Sequence, residues 1–119
     1  MRGIIKVNTN EEVKIIYSKD NKSIMDIIKN EIDPEFVYPK NLNSTLCMIV
    51  DDDGYRKDLD INEIGSYYYG SYENNHFILG DIFITKLKRD SEGISVDWLD
   101  DSEILKIIDE ITMIINLKI

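Results

Sequence analysis

Ser44-Thr45-Leu46-Cys47-Met48-Ile49-Val50 breaks abruptly into Asp51-Asp52-Asp53-Gly54. Five apolar residues in a row are too few for a helix. The turn signal that bounds them makes the run a strand covered on both faces, hence a central strand of its sheet. The rest of the chain must supply its neighbours and the layers that cover it.

Working outward toward the start, Gly3 to Val7 and Val13 to Tyr17 are two β-branched runs separated by Asn8-Thr9-Asn10-Glu11-Glu12, a hairpin with a five-residue loop. Ser23 with Asp26 supplies a capping pair for a helix whose apolar positions Ile24, Ile27, Ile28 and Ile32 recur at helical spacing. Pro34 disfavours helical geometry at Asp33 and ends it. Glu35 to Tyr38 then reads as a short strand and Pro39 to Asn43 as a turn into the central strand.

Working outward toward the end, Tyr55 to Leu59 reads as the returning arm of a hairpin, with Gly54 at the left-handed position of its turn. Asp60 to Gly65 amounts to a helical turn at most, and Gly65 to His76, with four tyrosines, has the composition of a loop. Leu79 to Leu87 alternates Ile82 and Ile84 against Phe83 and Thr85, a strand, followed by a charged turn from Lys88 to Gly93 and an extended piece from Ile94 to Trp98. Asp100 with Glu103 caps a last helix carrying Ile104, Ile107, Ile108, Ile111 and Ile115 on one face. The expected fold is α+β: one small domain over residues 1–119, a mostly antiparallel sheet of about four to six strands, one helix after the first hairpin and a C-terminal helix packed on the sheet.

Composition agrees with that size and class. A chain of 119 residues suits a single core, and 43% hydrophobic with 31% charged residues is the balance of a folded globule. Ala is absent, so the helices must gain stability from a packed face more than from propensity. A single cysteine, Cys47, excludes an internal disulfide and any zinc site built from paired cysteines. Residues 1–10 lack the apolar region of a signal peptide, and no apolar run approaches the roughly 20 residues of a membrane span. The expectation is a cytoplasmic protein with no membrane partner and no cofactor.

Formal charge is −9, and it is unevenly placed. Residues 1–50 hold seven basic and seven acidic residues, whereas residues 51–119 hold seven basic and sixteen acidic ones. Asp51, Asp52, Asp53, Asp58, Asp60 and Glu63 gather around one turn, and Asp97, Asp100, Asp101 and Glu103 around the start of the last helix. Such a distribution suits solubility, and it equally suits an acidic face that occupies a protein groove meant for phosphates. Direct nucleic-acid binding is disfavoured, since the only basic patch is Lys86, Lys88 and Arg89.

The order of elements resembles the domain-of-unknown-function family numbered 3846. The matching residues are Leu46 through Gly54 for the strand and its turn, then Leu59 and Asn62. Further on they are Ile78-Leu79-Gly80-Asp81-Ile82-Phe83-Ile84 and Leu99-Asp100-Asp101-Ser102-Glu103-Ile104. The family tends to carry Pro in the loop before the Asn, where this chain has Asp60-Ile61. The resemblance implies a genetic setting, since members are short proteins of phages, plasmids and other mobile elements, mostly in low-GC Gram-positive bacteria. It implies no activity.

Candidate chemistry thins out on inspection. Asp51-Asp52-Asp53-Gly54 looks like part of a calcium loop, but with Gly54 at the sixth position Ile49 would stand first and Asp60 twelfth, where a bidentate Glu is wanted. No metal is expected there. His76 is the sole histidine, and no spacing supplies it with a nucleophile and an orienting acid. Cys47 sits in the apolar run as an inert thiol, and Trp98 beside Leu99 reads as an anchor for the last helix onto the sheet. No catalytic residue is assigned. What remains is the acidic half and the Tyr67, Tyr68, Tyr69 and Tyr72 stretch, whose Tyr, Ser, Gly and Asn composition is that of adaptable recognition loops.

Together these features suggest a non-enzymatic accessory protein of a mobile element. It would bind a host protein, such as a defence nuclease or another nucleic-acid-binding protein, through Asp51, Asp52, Asp53, Asp58, Asp60, Glu63, Asp97, Asp100 and Asp101 with the tyrosines. The alternatives are a protein that binds or sequesters a nucleotide signal, and an uncharacterised enzyme. The sequence leaves self-association open.

Overall fold

β5 (Ile82–Asp90) is paired along both edges and organises the sheet. The computed structural model describes residues 1–19, 22–37 and 45–117. Among them six strands form one antiparallel sheet: β1 (Gly3–Val7), β2 (Val13–Tyr17), β3 (Pro34–Val37), β4 (Leu46–Asp51), β5 and β6 (Gly93–Asp97). The order is β2-β1-β5-β4-β3. β6 pairs with the far half of β5 on the side that β1 occupies along the near half, since Lys86 faces both Leu46 and Asp97. The first hairpin has the expected register, Val7 opposite Val13 and Gly3 opposite Tyr17.

Helices cover both faces. Ile5, Val7, Met48, Val50, Ile82 and Ile84 pack beneath α2 (Glu63–Tyr69) and α4 (Asp101–Leu117). Ile4, Cys47, Ile49 and Phe83 pack beneath α1 (Ile24–Lys29). All six residues of β4 are buried, which is why its apolar run does not alternate.

The helix ends follow local chemistry. Ser23 Oγ accepts from Asp26 N at 3.1 Å at the start of α1. At α4, Asp100 Oδ1 accepts from Glu103 N at 2.9 Å, while Glu103 Oε1 accepts from Asp100 N at 3.0 Å, a reciprocal capping box. α4 buries Ile104, Ile107, Ile111 and Ile114, with Ile108 and Ile115 half-buried at the margins of that face.

Several local expectations are corrected. Tyr55 to Leu59 is not a returning strand: both edges of β4 are already taken by β3 and β5, so the chain winds through turns instead, with Leu59 N donating to Gly54 O at 3.0 Å. The left-handed residue is Asp58 (φ 55) and not Gly54. The tyrosine stretch is not a loop but α2 followed by the single turn of α3 (Ser71–Asn74), separated by Gly70 at φ 79. Gly65 and Ser66 suggested a loop, yet they sit inside α2 because the helix lies directly on β5. A Cβ on Gly65 would stand 3.1 Å from the methyls of both Ile78 and Ile82. β5 begins at Ile82, with Leu79 making only an isolated bridge to Ile61, and it runs on to Asp90, so the charged turn shrinks to Ser91 and Glu92. The turn expected over Pro39 to Asn43 lies outside the described residues, as does Tyr38.

The layers are fastened by Asn62, which is fully buried. Its Oδ1 accepts from Gly65 N at 2.9 Å and caps α2, and its Nδ2 donates to Val7 O at 3.0 Å and Gly80 O at 2.9 Å. Gly80 (φ 82) carries the chain back toward β5, and it lies so close to Leu59 that a Cβ would stand 2.7 Å from Leu59 Cδ1. Leu59, Asn62 and Gly80 are thus one structural joint.

Candidate functional site

The end of β4 is an acidic knot. Asp51 has a side chain only 3% exposed, and it accepts from Lys57 Nζ at 2.9 Å and from Asp53 N at 2.8 Å. Lys57 also reaches Asp33 at 3.2 Å, and Arg56 pairs with Asp53 at 2.6 Å. Alongside, Lys6 lies between Glu31 at 2.6 Å and Asp81 at 3.5 Å. Hydrogen bonding to Glu31 holds Lys6 above the usual lysine range, and hydrogen bonds to Asp51 and Asp33 do the same for Lys57. The Arg56 guanidinium holds the Asp53 carboxyl below its usual range.

Tertiary structure enlarges this cluster beyond the sequence motif. Glu31 and Asp33 come from the electrically balanced first part of the chain, and Asp81 from the approach to β5. Glu31, Asp51, Lys57, Asp60 and Asp81 line one cleft of about 300 Å³. Among the described residues, Glu31, Asp33, Asp51, Asp52, Asp53, Asp60 and Asp81 are seven carboxylates gathered about three cations, Lys6, Arg56 and Lys57. The potential at this end is therefore negative even with each of these ion pairs made. Asp33, Asp52 and Asp53 place one oxygen each within 4.8 Å of one another. Lys57 and Arg56 already neutralise two of the three, so the group is explained without a metal.

On the other side of the same turn lies a cleft of about 280 Å³, lined by Glu35, Asp51, Asp52, Tyr55, Tyr69, His76 and Phe77 with apolar Val37, Val50, Ile78 and Leu79. The His76 ring lies between two tyrosines, 6.1 Å from Tyr55 and 5.7 Å from Tyr69, tilted by about 50° to each. Tyr55 Oη donates to Phe77 O at 3.4 Å and ties the rim together. No Lys or Arg lines this cleft among the described residues.

The remaining candidate residues go elsewhere. Asp97 pairs with Arg2 at 2.7 Å and Asp101 with the Met1 amino group at 2.8 Å. Asp100 belongs to the capping box, whose Glu103 N–H bond holds its carboxyl below the usual range. Asp97 stands opposite Lys86, whereas Asp51 lies two residues beyond Ile49, the partner of Phe83. The two acidic clusters therefore sit toward opposite ends of the sheet and do not form one face. Asp58 is exposed in the turn, and Glu63 is half-buried in the first turn of α2.

Of the tyrosines, Tyr68 is fully buried against α4. Its hydroxyl has no hydrogen-bond partner, and burial pushes its pKa well above the usual value. Tyr67 is half-buried, edge-on to Tyr68. Tyr72 falls in α3, and its side chain lies outside the described ones. Among the described side chains of these tyrosines, Tyr69 alone reaches the cleft, where Tyr55, not anticipated, joins it. The signal for Tyr55 was its place immediately after the acidic turn, but reading it as a strand residue hid it.

Cys47 is buried on the α1 side, where desolvation pushes its thiol up to about 11. His76 is exposed at the aromatic cleft, so the two residues on which a catalytic reading would have rested are in different environments. Trp98 packs into the α1-side core, and it is Leu99 that is buried beneath α4. No helix among the described residues is long and apolar enough to cross a membrane. No family model, curated protein or solved structure matches the chain.

Proposed function

We propose that the chain is a non-enzymatic accessory protein of a mobile genetic element that acts in the cytoplasm by binding the basic surface of a host protein. The host protein is a nucleic-acid-binding one, of which a defence nuclease is an example, and the acidic end stands in for phosphates. The observation that carries this reading is the cluster of seven carboxylates about three cations around Asp51. The genetic setting comes from the resemblance to family 3846. Sequestration of a nucleotide signal is the weaker reading, because an anionic ligand needs cations and no Lys or Arg among the described residues lines the aromatic cleft.

Exposed charges separated by more than about 8 Å are screened at physiological salt, so such binding weakens as salt rises. The test is affinity capture from a low-GC Gram-positive lysate with the native chain and with an Asp52→Asn/Asp60→Asn variant, which leaves the buried Asp51 pair intact. The expected result is a partner retained by the native chain, lost from the variant, and released by added duplex DNA. A partner held equally by both proteins and indifferent to salt and DNA would overturn the proposal.

A further inference from the structure

We infer that the cleft between Tyr55, Tyr69 and His76 is the seat of a single arginine side chain of the protein partner. This rests on the partner-binding reading above and assigns its central contact. Size comes first: small-molecule sites usually enclose about 300–1,000 Å³, and at about 280 Å³ this cleft suits one side chain.

Charge sets the sign of the occupant. Glu35 and Asp52 line the cleft, and among the described residues neither pairs with a cation and no Lys or Arg contributes to the lining. A cation is favoured and a phosphate is not. The walls choose between cations. A guanidinium is planar and weakly hydrated, stacks on aromatic faces and forks onto a carboxylate, whereas an ammonium is compact and strongly hydrated and loses more on entering a cleft with apolar Val50 and Ile78 in its lining. Asp51 bounds this cleft and the acidic one beside it, so an arginine seated here brings the basic surface around it against Asp60 and Asp81.

The experiment titrates the full chain at low salt with a hexa-arginine peptide and, separately, a hexa-lysine peptide, following the aromatic ring signals by NMR. The expected result is that hexa-arginine shifts the Tyr55, Tyr69 and His76 rings. Tyr55→Ala, at a position 65% exposed and so compatible with folding, should weaken hexa-arginine about fivefold, as loss of a partly desolvated cation–π contact would. It should leave hexa-lysine within about twofold. Asp52→Asn, a second exposed position, should weaken hexa-arginine in the same direction. Shifts confined to the Asp60 and Asp81 side, or a Tyr55→Ala variant that binds hexa-arginine as the native chain does, overturn the cleft assignment and leave the acidic-end reading standing. Equal binding of both peptides with equal ring shifts overturns the choice of arginine. Failure of both peptides to bind overturns both proposals.

Discussion

The side-chain amide of Asn62 donates to the carbonyl of Val7 at 3.0 Å, joining residues 55 positions apart. The same side chain holds Gly80 O and Gly65 N, so β1, the approach to β5 and the start of α2 share one buried amide. Asn62→Ala removes three buried hydrogen bonds, to Val7 O, Gly80 O and Gly65 N, at about 1 kcal/mol each, the last of them the cap of α2. The expected loss is about 3 kcal/mol or more, a large share of the roughly 5–15 kcal/mol of a typical domain. Urea unfolding measures it; a loss under about 1 kcal/mol would mean that Asn62 does not hold the layers together.

Gly80→Ala should destabilise for two separable reasons. A left-handed φ costs an L-residue about 1–2 kcal/mol, and the new methyl would stand 2.7 Å from Leu59 Cδ1. Placing the change in a Leu59→Ala background removes the clash and leaves the backbone cost. A double-mutant cycle should therefore give a coupling energy of about 1 kcal/mol, with the substitution milder in the Leu59→Ala protein. Additive costs would show that the clash is relieved by movement elsewhere.

Tyr68 and Glu110 offer stabilising changes. The Tyr68 hydroxyl is buried without a partner, so Tyr68→Phe should raise stability by about 1 kcal/mol. Burial raises the pKa of Glu110, so the folded state holds that proton more tightly than the unfolded chain does. Its contribution is complete below the unfolded value of about 4.3 and is lost as pH rises through the raised folded value. Glu110→Gln should accordingly be more stable than the native chain at pH 7, with the advantage fading on acidification. Thermal melts across pH 3.5–7 check this, and a constant difference would place the effect outside ionisation.

Cys47 should behave as a reporter of opening. Its thiol is raised to about 11 by burial, so the stability it supports is full below the unfolded value of about 8.5 and declines as pH climbs through 11. At pH 8 a disulfide reagent should modify it only through opening of the fold, at a rate that rises with urea in parallel with the unfolded fraction. Rapid labelling of the native protein without denaturant would contradict its burial.

The elements that sequence revealed are those with strict periodicity or a complete local signature: the first hairpin, Ser23 before α1, the Ile82/Phe83 alternation and the Asp100/Glu103 box. α2 was hidden because its small residues answer to the strand below and not to the helix itself, as Gly65 against Ile78 and Ile82 illustrates. The turn after Gly54 was misread because strand pairing is a tertiary property, and nothing local announces that β3 already occupies the free edge of β4. The acidic end was half legible. Asp51, Asp52, Asp53 and Asp60 were visible as a cluster, whereas Glu31, Asp33 and Asp81 reach it only through folding.

One face of the sheet is thinly roofed. Among the described residues, α1 with its six residues is the only helix over Cys47, Ile49 and Phe83, and Phe36 and Ile94 stay exposed at that side. β3 there is four residues long and begins with a proline that has no N–H to give. Amide exchange should therefore be layered, with β3 and β6 losing protection early and β1, β4 and β5 surrendering theirs only with global unfolding. The molecule should open from beneath α1, while the joint at Asn62 stays closed longest.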